Sequence, residues 1–137
     1  MIRIDAEKAL FLLDQCVKQR GKNFVYEKQD DANCLYVHDA TAEVWDPAAE
    51  DYDTIDTPES ATPGCMIGLA LAKAGVPLSA FTDLGVNSED AYVVSDRLKF
   101  EGIAEISWDA ERIFRVAQER QDRGSTWGEA LACARQA

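Results

Sequence analysis

A chain of 137 residues with 47% hydrophobic content is long enough for one domain that buries roughly two-thirds of its unfolded surface in a core of its own. Its formal net charge of −11 excludes nucleic acid and anionic membranes as direct ligands, because a field of that sign repels both. No apolar run approaches the ~18 residues of a membrane span. The opening residues are amphipathic and soon acidic, without the pattern of a secretory leader. The expectation is a cytoplasmic protein whose four cysteines, Cys16, Cys34, Cys65 and Cys133, stay free in a reducing compartment.

In chain order, the spacing of Ala6, Ala9, Leu10, Leu13 and Val17 predicts a helix over 6–20, capped by Asp5 and stopped by Gly21. "NFVYEK" and "CLYVHDA" read as two short strands, 24–27 and 35–39, turned by "QDDAN", and "AEVW" as a third. The stretch 46–64, "DPAAEDYDTIDTPESATPG", has no sustained periodicity and reads as a long, exposed, flexible loop. Thr62 as N-cap and Pro63 at the first helical position then open a helix apolar on nearly every side, through Met66, Ile67, Leu69, Ala70 and Leu71. Gly75 supplies its left-handed stop with Val76 as hydrophobic partner, and Gly68 allows another element to come close.

The second half is helical. "PLSAFTDLG" predicts a short helix. "NSEDAYVVSDRLKFEG" predicts another, with Ala91, Val94 and Leu98 inward and Gly102 as stop. After the short extended piece "IAEISW", Asp109 caps a helix whose Ala110, Ile113, Phe114 and Ala117 face the core, ended by Gly124. Thr126 and Glu129 form a capping box for a last helix with Trp127, Ala130, Leu131 and Ala134 inward. The fold class is therefore α+β in a single domain, residues 1–137. A small antiparallel sheet over about 23–46 packs with five or six helices around a central apolar helix, 66–74.

Charge is the most informative pattern. From Gln29 to Ala72 there is no Lys or Arg, yet Asp30, Asp31, Asp39, Glu43, Asp46, Glu50, Asp51, Asp53, Asp56 and Glu59 all fall there. Such a segment attracts a basic surface. "DYDTID" lacks the glycine and the final glutamate of a calcium loop.

Cys65 is the one candidate nucleophile with a helix start beside it. At N3 of its helix the dipole favours a thiolate, His38 is the only available imidazole, and Asp39 or Asp46 could orient it. Against this, a thiol buried under an apolar helix has its pKa raised, so the packing role is preferred. Cys34, His38 and Cys65 could bind zinc with Asp39 or Cys16 as fourth ligand, but the spacing matches no zinc motif. The preferred reading has no metal and no cofactor. Trp127 begins an apolar stripe and reads as packed rather than as an exposed anchor.

"CLYVHD", "PGCMIGLALAKAGVPL" and "QERQDRGSTWGEAL" in this order resemble a group of small uncharacterised proteins of actinobacteriophages and actinobacterial genomes. The chain differs from that group in a longer acidic insertion after Trp45 and in Leu69, where the group often has His. The resemblance implies a viral accessory protein acting in the host cytoplasm, and no activity. With the charge pattern, the expected function is non-enzymatic binding of a basic, nucleic-acid-binding host protein. Segment 30–59, above all Glu50, Asp51, Asp53, Asp56 and Glu59, would dock on it as a mimic of DNA's charge. A Cys65–His38 enzyme and a protein sequestering a small host signal in a deep apolar pocket are the alternatives.

Overall fold

The computed structural model describes residues 1–27 and 35–137. Ile2–Ile4 (β1) leads into Ala6–Arg20 (α1). Asp5 caps α1, its carboxylate accepting from the Lys8 amide at 2.8 Å, and Gly21, at φ 98°, ends it. Leu12 and Cys16 join Ala9 and Leu13 on the buried stripe, whereas Ala6, Leu10 and Val17 flank it half-buried.

The expected strand 24–27 does not form. Its backbone is used elsewhere: the Phe24 carbonyl accepts from the Trp127 amide at 2.8 Å and the Lys22 carbonyl from the Gly128 amide at 2.9 Å. This stretch is a bracket for the last helix. The turn expected at 29–33 lies outside the described residues.

Val37–His38 (β2) pairs instead with residues from the expected loop, Thr62–Pro63 (β5). Thr41–Asp46 (β3) pairs along its whole length with Asp51–Asp56 (β4). Stretch 46–64 is thus exposed along β4 but buried at Gly64, and it is not a loop: it holds β4, a 3-10 turn at Pro58–Ser60 and β5. Because Thr62 and Pro63 are committed to β5, the central helix starts later than expected, as Met66–Ala74 (α2), with Cys65 as N-cap.

Leu78–Asp83 (α3), Ala91–Phe100 (α4), Ala104–Ile106 (β6), Trp108–Asp122 (α5) and Trp127–Ala134 (α6) complete the chain. β6 pairs in parallel with β1, a link across a hundred residues. Ser107, not Asp109, caps α5, accepting from the Ala110 amide at 3.1 Å, while the Thr126–Glu129 capping box stands as expected. The fold is α+β with six helices among the described residues, but its sheet is three separate two-stranded pairs. One of them is parallel, and none is the antiparallel sheet expected over 23–46.

α2 packs between α1 and α5, with every residue from Met66 to Leu71 buried. Each such Leu, Ile or Met contributes roughly 1.5–3 kcal/mol on leaving water. Gly68 is the point of closest approach, since a Cβ there would stand 2.7 Å from the Tyr36 Cα. Gly75, at φ 106°, closes the helix with the Val76 amide donating to the Leu71 carbonyl at 3.0 Å.

Two buried glutamines of α5 hold the other helix starts. Gln121 Oε1 accepts from the Met66 amide at 2.8 Å and Gln118 Oε1 from the Ala91 amide at 3.0 Å. A free helix N-terminus leaves amide donors without partners, and here side chains from a third helix take one at each. Gln118 Nε2 also donates to Tyr36 Oη at 2.6 Å, and Tyr36 Oη donates to the Glu89 carbonyl at 2.8 Å. This network joins α5, α4 and the segment before β2.

Candidate functional site

The β3–β4 hairpin is the acidic segment made visible. Its side chains are exposed on both faces, except that Asp46 is half-buried. Register sorts them. Thr41, Glu43 and Trp45 oppose Asp56, Thr54 and Tyr52 on one face, and Ala42, Val44 and Asp46 oppose Ile55, Asp53 and Asp51 on the other. Trp45 and Tyr52 pack edge to face with ring centroids 5.2 Å apart, a pair that contributes about 0.5–1.5 kcal/mol beyond its buried area. Asp46 and Asp51 are direct cross-strand partners, and like charges so placed destabilise a ladder.

A lone two-stranded hairpin is marginal in water, so this one depends on its root. The Thr57 amide donates to the Ala40 carbonyl at 2.8 Å and its hydroxyl to the Asp39 carbonyl at 3.1 Å. Below that, the Gly64 and Cys65 amides donate to the Tyr36 and Leu35 carbonyls, each at 2.8 Å. Arg20 reaches across from α1. Its guanidinium donates to the Pro63 carbonyl at 3.1 Å and lies 5.3 Å from the ring centres of both Phe24 and Trp127. The hairpin therefore stands on a rigid floor while its strands meet solvent.

Of the residues expected to face a partner, Asp51, Asp53 and Asp56 lie on β4, Glu50 on the turn at φ 53°, and Glu59 in the 3-10 turn, all exposed. Asp51 and Asp53 point to one face and Asp56 to the other. Asp30 and Asp31 lie outside the described residues. Sequence reasoning passed over the apolar share of this surface. Trp45, Tyr52, Val44 and Ile55 are all about half exposed. The aromatic and β-branched residues of "YDTID", Tyr52, Thr54 and Ile55, were the available signal, masked by its aspartates.

The alternative catalytic pair is brought close but not armed. His38 packs on Gly64, beside Cys65: a Cβ on Gly64 would stand 2.7 Å from the imidazole. Cys65, however, is fully buried and disulfide-bonded, so it presents neither a nucleophilic thiolate nor a zinc ligand. The expectation of four free cysteines is corrected with it: Cys16 and Cys133 are free, and Cys34 lies outside the described residues. His38 Nε2 shares a 2.7 Å hydrogen bond with the Tyr26 hydroxyl. Burial lowers the pKa of His38, with Asp39 opposing and Arg20 reinforcing the shift, and burial raises that of Tyr26. Burial thus disfavours the charged imidazole, and the Tyr26 hydroxyl holds the ring in place.

Among the described residues no three His, Cys, Asp or Glu side chains converge on a point fit for a metal ion. No helix among them is long and apolar enough to cross a membrane. A cleft of about 500 Å³ opens between the hairpin root and α3, lined by Ala40, Asp56, Leu78, Thr82 and Asp83 among others. None of its lining residues is buried, so it is a surface recess and not the deep apolar pocket of the small-ligand alternative. Trp127 is fully buried against Phe24, with ring centroids 4.6 Å apart, so its packing role stands and the anchor role does not.

Comparison with protein-family models, with curated proteins and with solved structures returns no match.

Proposed function

We propose that this chain is a non-enzymatic accessory protein of phage type whose acidic hairpin docks on a basic host protein. One observation carries the reading. Twelve strand residues, from Thr41 to Asp46 and Asp51 to Asp56, contain five carboxylates and no Lys or Arg, and they stand in solvent interleaved with half-exposed Trp45 and Tyr52. Aspartates on an exposed edge also deter chance strand pairing. That role would be met by one or two charges, and it gains nothing from exposed aromatic rings. Carboxylates around aromatic side chains suit a partner that binds nucleic acid through basic and stacking groups, the surface that a mimic of DNA's charge would occupy.

Such a surface steers encounter more than it holds the complex. Capture from a host lysate at low and at high salt identifies the partner. Replacing Glu50, Asp51, Asp53 and Asp56 together by their amides should then slow association at low salt about tenfold or more, with little change in dissociation. Replacing Glu7 and Glu119 should do little. If the fourfold variant associates unchanged at low salt, the hairpin is not the interface.

A further inference from the structure

Away from the hairpin, a groove of about 220 Å³ runs between one face of α4 and the start of α5. Tyr92, Asp96 and Lys99 line it from α4, and Trp108 and Glu111, one turn apart, from α5. Its walls and its floor differ in kind. Tyr92 and Trp108 are 61% and 77% exposed, whereas Glu111 is only 6% exposed. The buried Glu111 Oε1 has no hydrogen-bond partner, although Lys99 lines the same groove. Buried carboxylates are normally paired, because an uncompensated one is costly.

We propose that this groove is a binding site for an alkyl cation bearing N–H donors, the Lys or Arg side chain of a partner protein. The N–H group would donate to the Glu111 carboxylate, which must turn to present its occluded Oε1, while the aliphatic stem lies along Tyr92 and Trp108. Three features support that occupant. The orphaned oxygen requires a donor, and a carboxylate favours a charged one. Exposed aromatic faces attract cations and cover methylene groups. The groove is open along its length, which suits a side chain presented on a larger surface. Arg112 lies 5.9 Å from the Trp108 ring centre, so that ring already accepts a cation on one side. Lys99 competes with the occupant, since it is the one cationic side chain in the lining among the described residues. The site stands independently of the hairpin reading.

The test is titration of the whole protein with Nα-acetyl-lysine methylamide and its arginine counterpart, following the Trp108 indole N–H by NMR. Norleucine and trimethyllysine amides serve as controls, the first lacking the charge and the second lacking N–H donors. The lysine or arginine probe should shift the Trp108 resonance saturably. Glu111→Gln should weaken that binding about tenfold or more, and Lys99→Met should tighten it. Trp108→Ala changes an exposed side chain and should weaken binding, followed in that variant through the Tyr92 backbone amide, without altering the melt. Equal binding of norleucine, tighter binding of trimethyllysine, no saturable shift, or an unchanged affinity in Glu111→Gln would each overturn the assignment.

Discussion

Replacing Gly68 by Ala tests the joint on which the hairpin stands. In an exposed helix the change would stabilise by about 1 kcal/mol, because Ala restricts the unfolded chain and favours the helix. Here the new methyl would meet the backbone of Tyr36, at 2.7 Å from its Cα and 2.8 Å from its carbonyl carbon. Backbone cannot turn aside as a flexible side chain can. The segment before β2 must retreat, and it is tied by the Tyr36 hydroxyl to Glu89 and Gln118 and by the Tyr36 carbonyl to the Gly64 amide. Overpacking of this kind costs about 1–3 kcal/mol, and each strained hydrogen bond adds about 1 kcal/mol. After the helix gain is subtracted, a net loss of about 2–3 kcal/mol remains. For a domain of this size that is roughly a 10 °C fall in Tm. Urea unfolding followed by circular dichroism measures it. Gly85→Ala is the control: at φ 69° with nothing within 4 Å of the new Cβ, it should cost only about 1 kcal/mol of backbone strain. A Gly68→Ala protein as stable as the parent, or more so, would refute the close approach between α2 and Tyr36.

Three further outcomes are expected. Gln121→Leu should leave the buried Met66 amide without its acceptor, cost about 1–3 kcal/mol, and speed hydrogen exchange at the start of α2 specifically; exchange that is slowed or raised uniformly would count against the capping role. Thiol labelling of the native protein should modify Cys133 first and Cys16 only on unfolding, since burial holds the Cys16 thiol in the core with its pKa pushed up to about 12, and a reductant that opens the Cys65 disulfide should lower Tm by an amount typical of about 2–4 kcal/mol.

What the sequence makes legible here is whatever is encoded within a few residues. Asp5 and Gly21 bound α1, and Gly75 with Val76 stops α2. Thr126 with Glu129 starts α6. Each of these signals is satisfied by its own neighbourhood. Apart from the cap of α5, which is Ser107 two residues before Asp109, the errors share a cause: a local signal was overridden by a distant partner. Thr62 and Pro63 carry the pattern of a helix start, yet β2 takes them into a ladder. "NFVYEK" has strand composition, yet its carbonyls serve α6. β4 is too polar to announce itself and exists because β3 lies beside it. The buried glutamines of α5 sit on a helix face read only for its apolar residues, and no spacing rule ties Gln121 to Met66. The acidic segment was legible as charge, but not as a hairpin with an aromatic pair. Glu111 looked like any solvated carboxylate until the fold buried it beside Trp108.

The parallel pairing of β1 with β6 has a consequence for synthesis. Ile2–Ile4 leaves the ribosome early, but its hydrogen-bonding edge has no mate until Ala104–Ile106 follows. At ~5–20 residues per second, that interval is on the order of 5–20 s, far longer than the microseconds in which helices form. Throughout it Ile4, destined for the core, faces solvent or whatever holds the nascent chain. The last helices then arrive nearly together with β6. Stable closure should therefore wait until Ala104–Ile106 has left the exit tunnel. Ribosome-bound chains stalled before residue 106 should remain open to protease, however much of α1 and α2 they already contain.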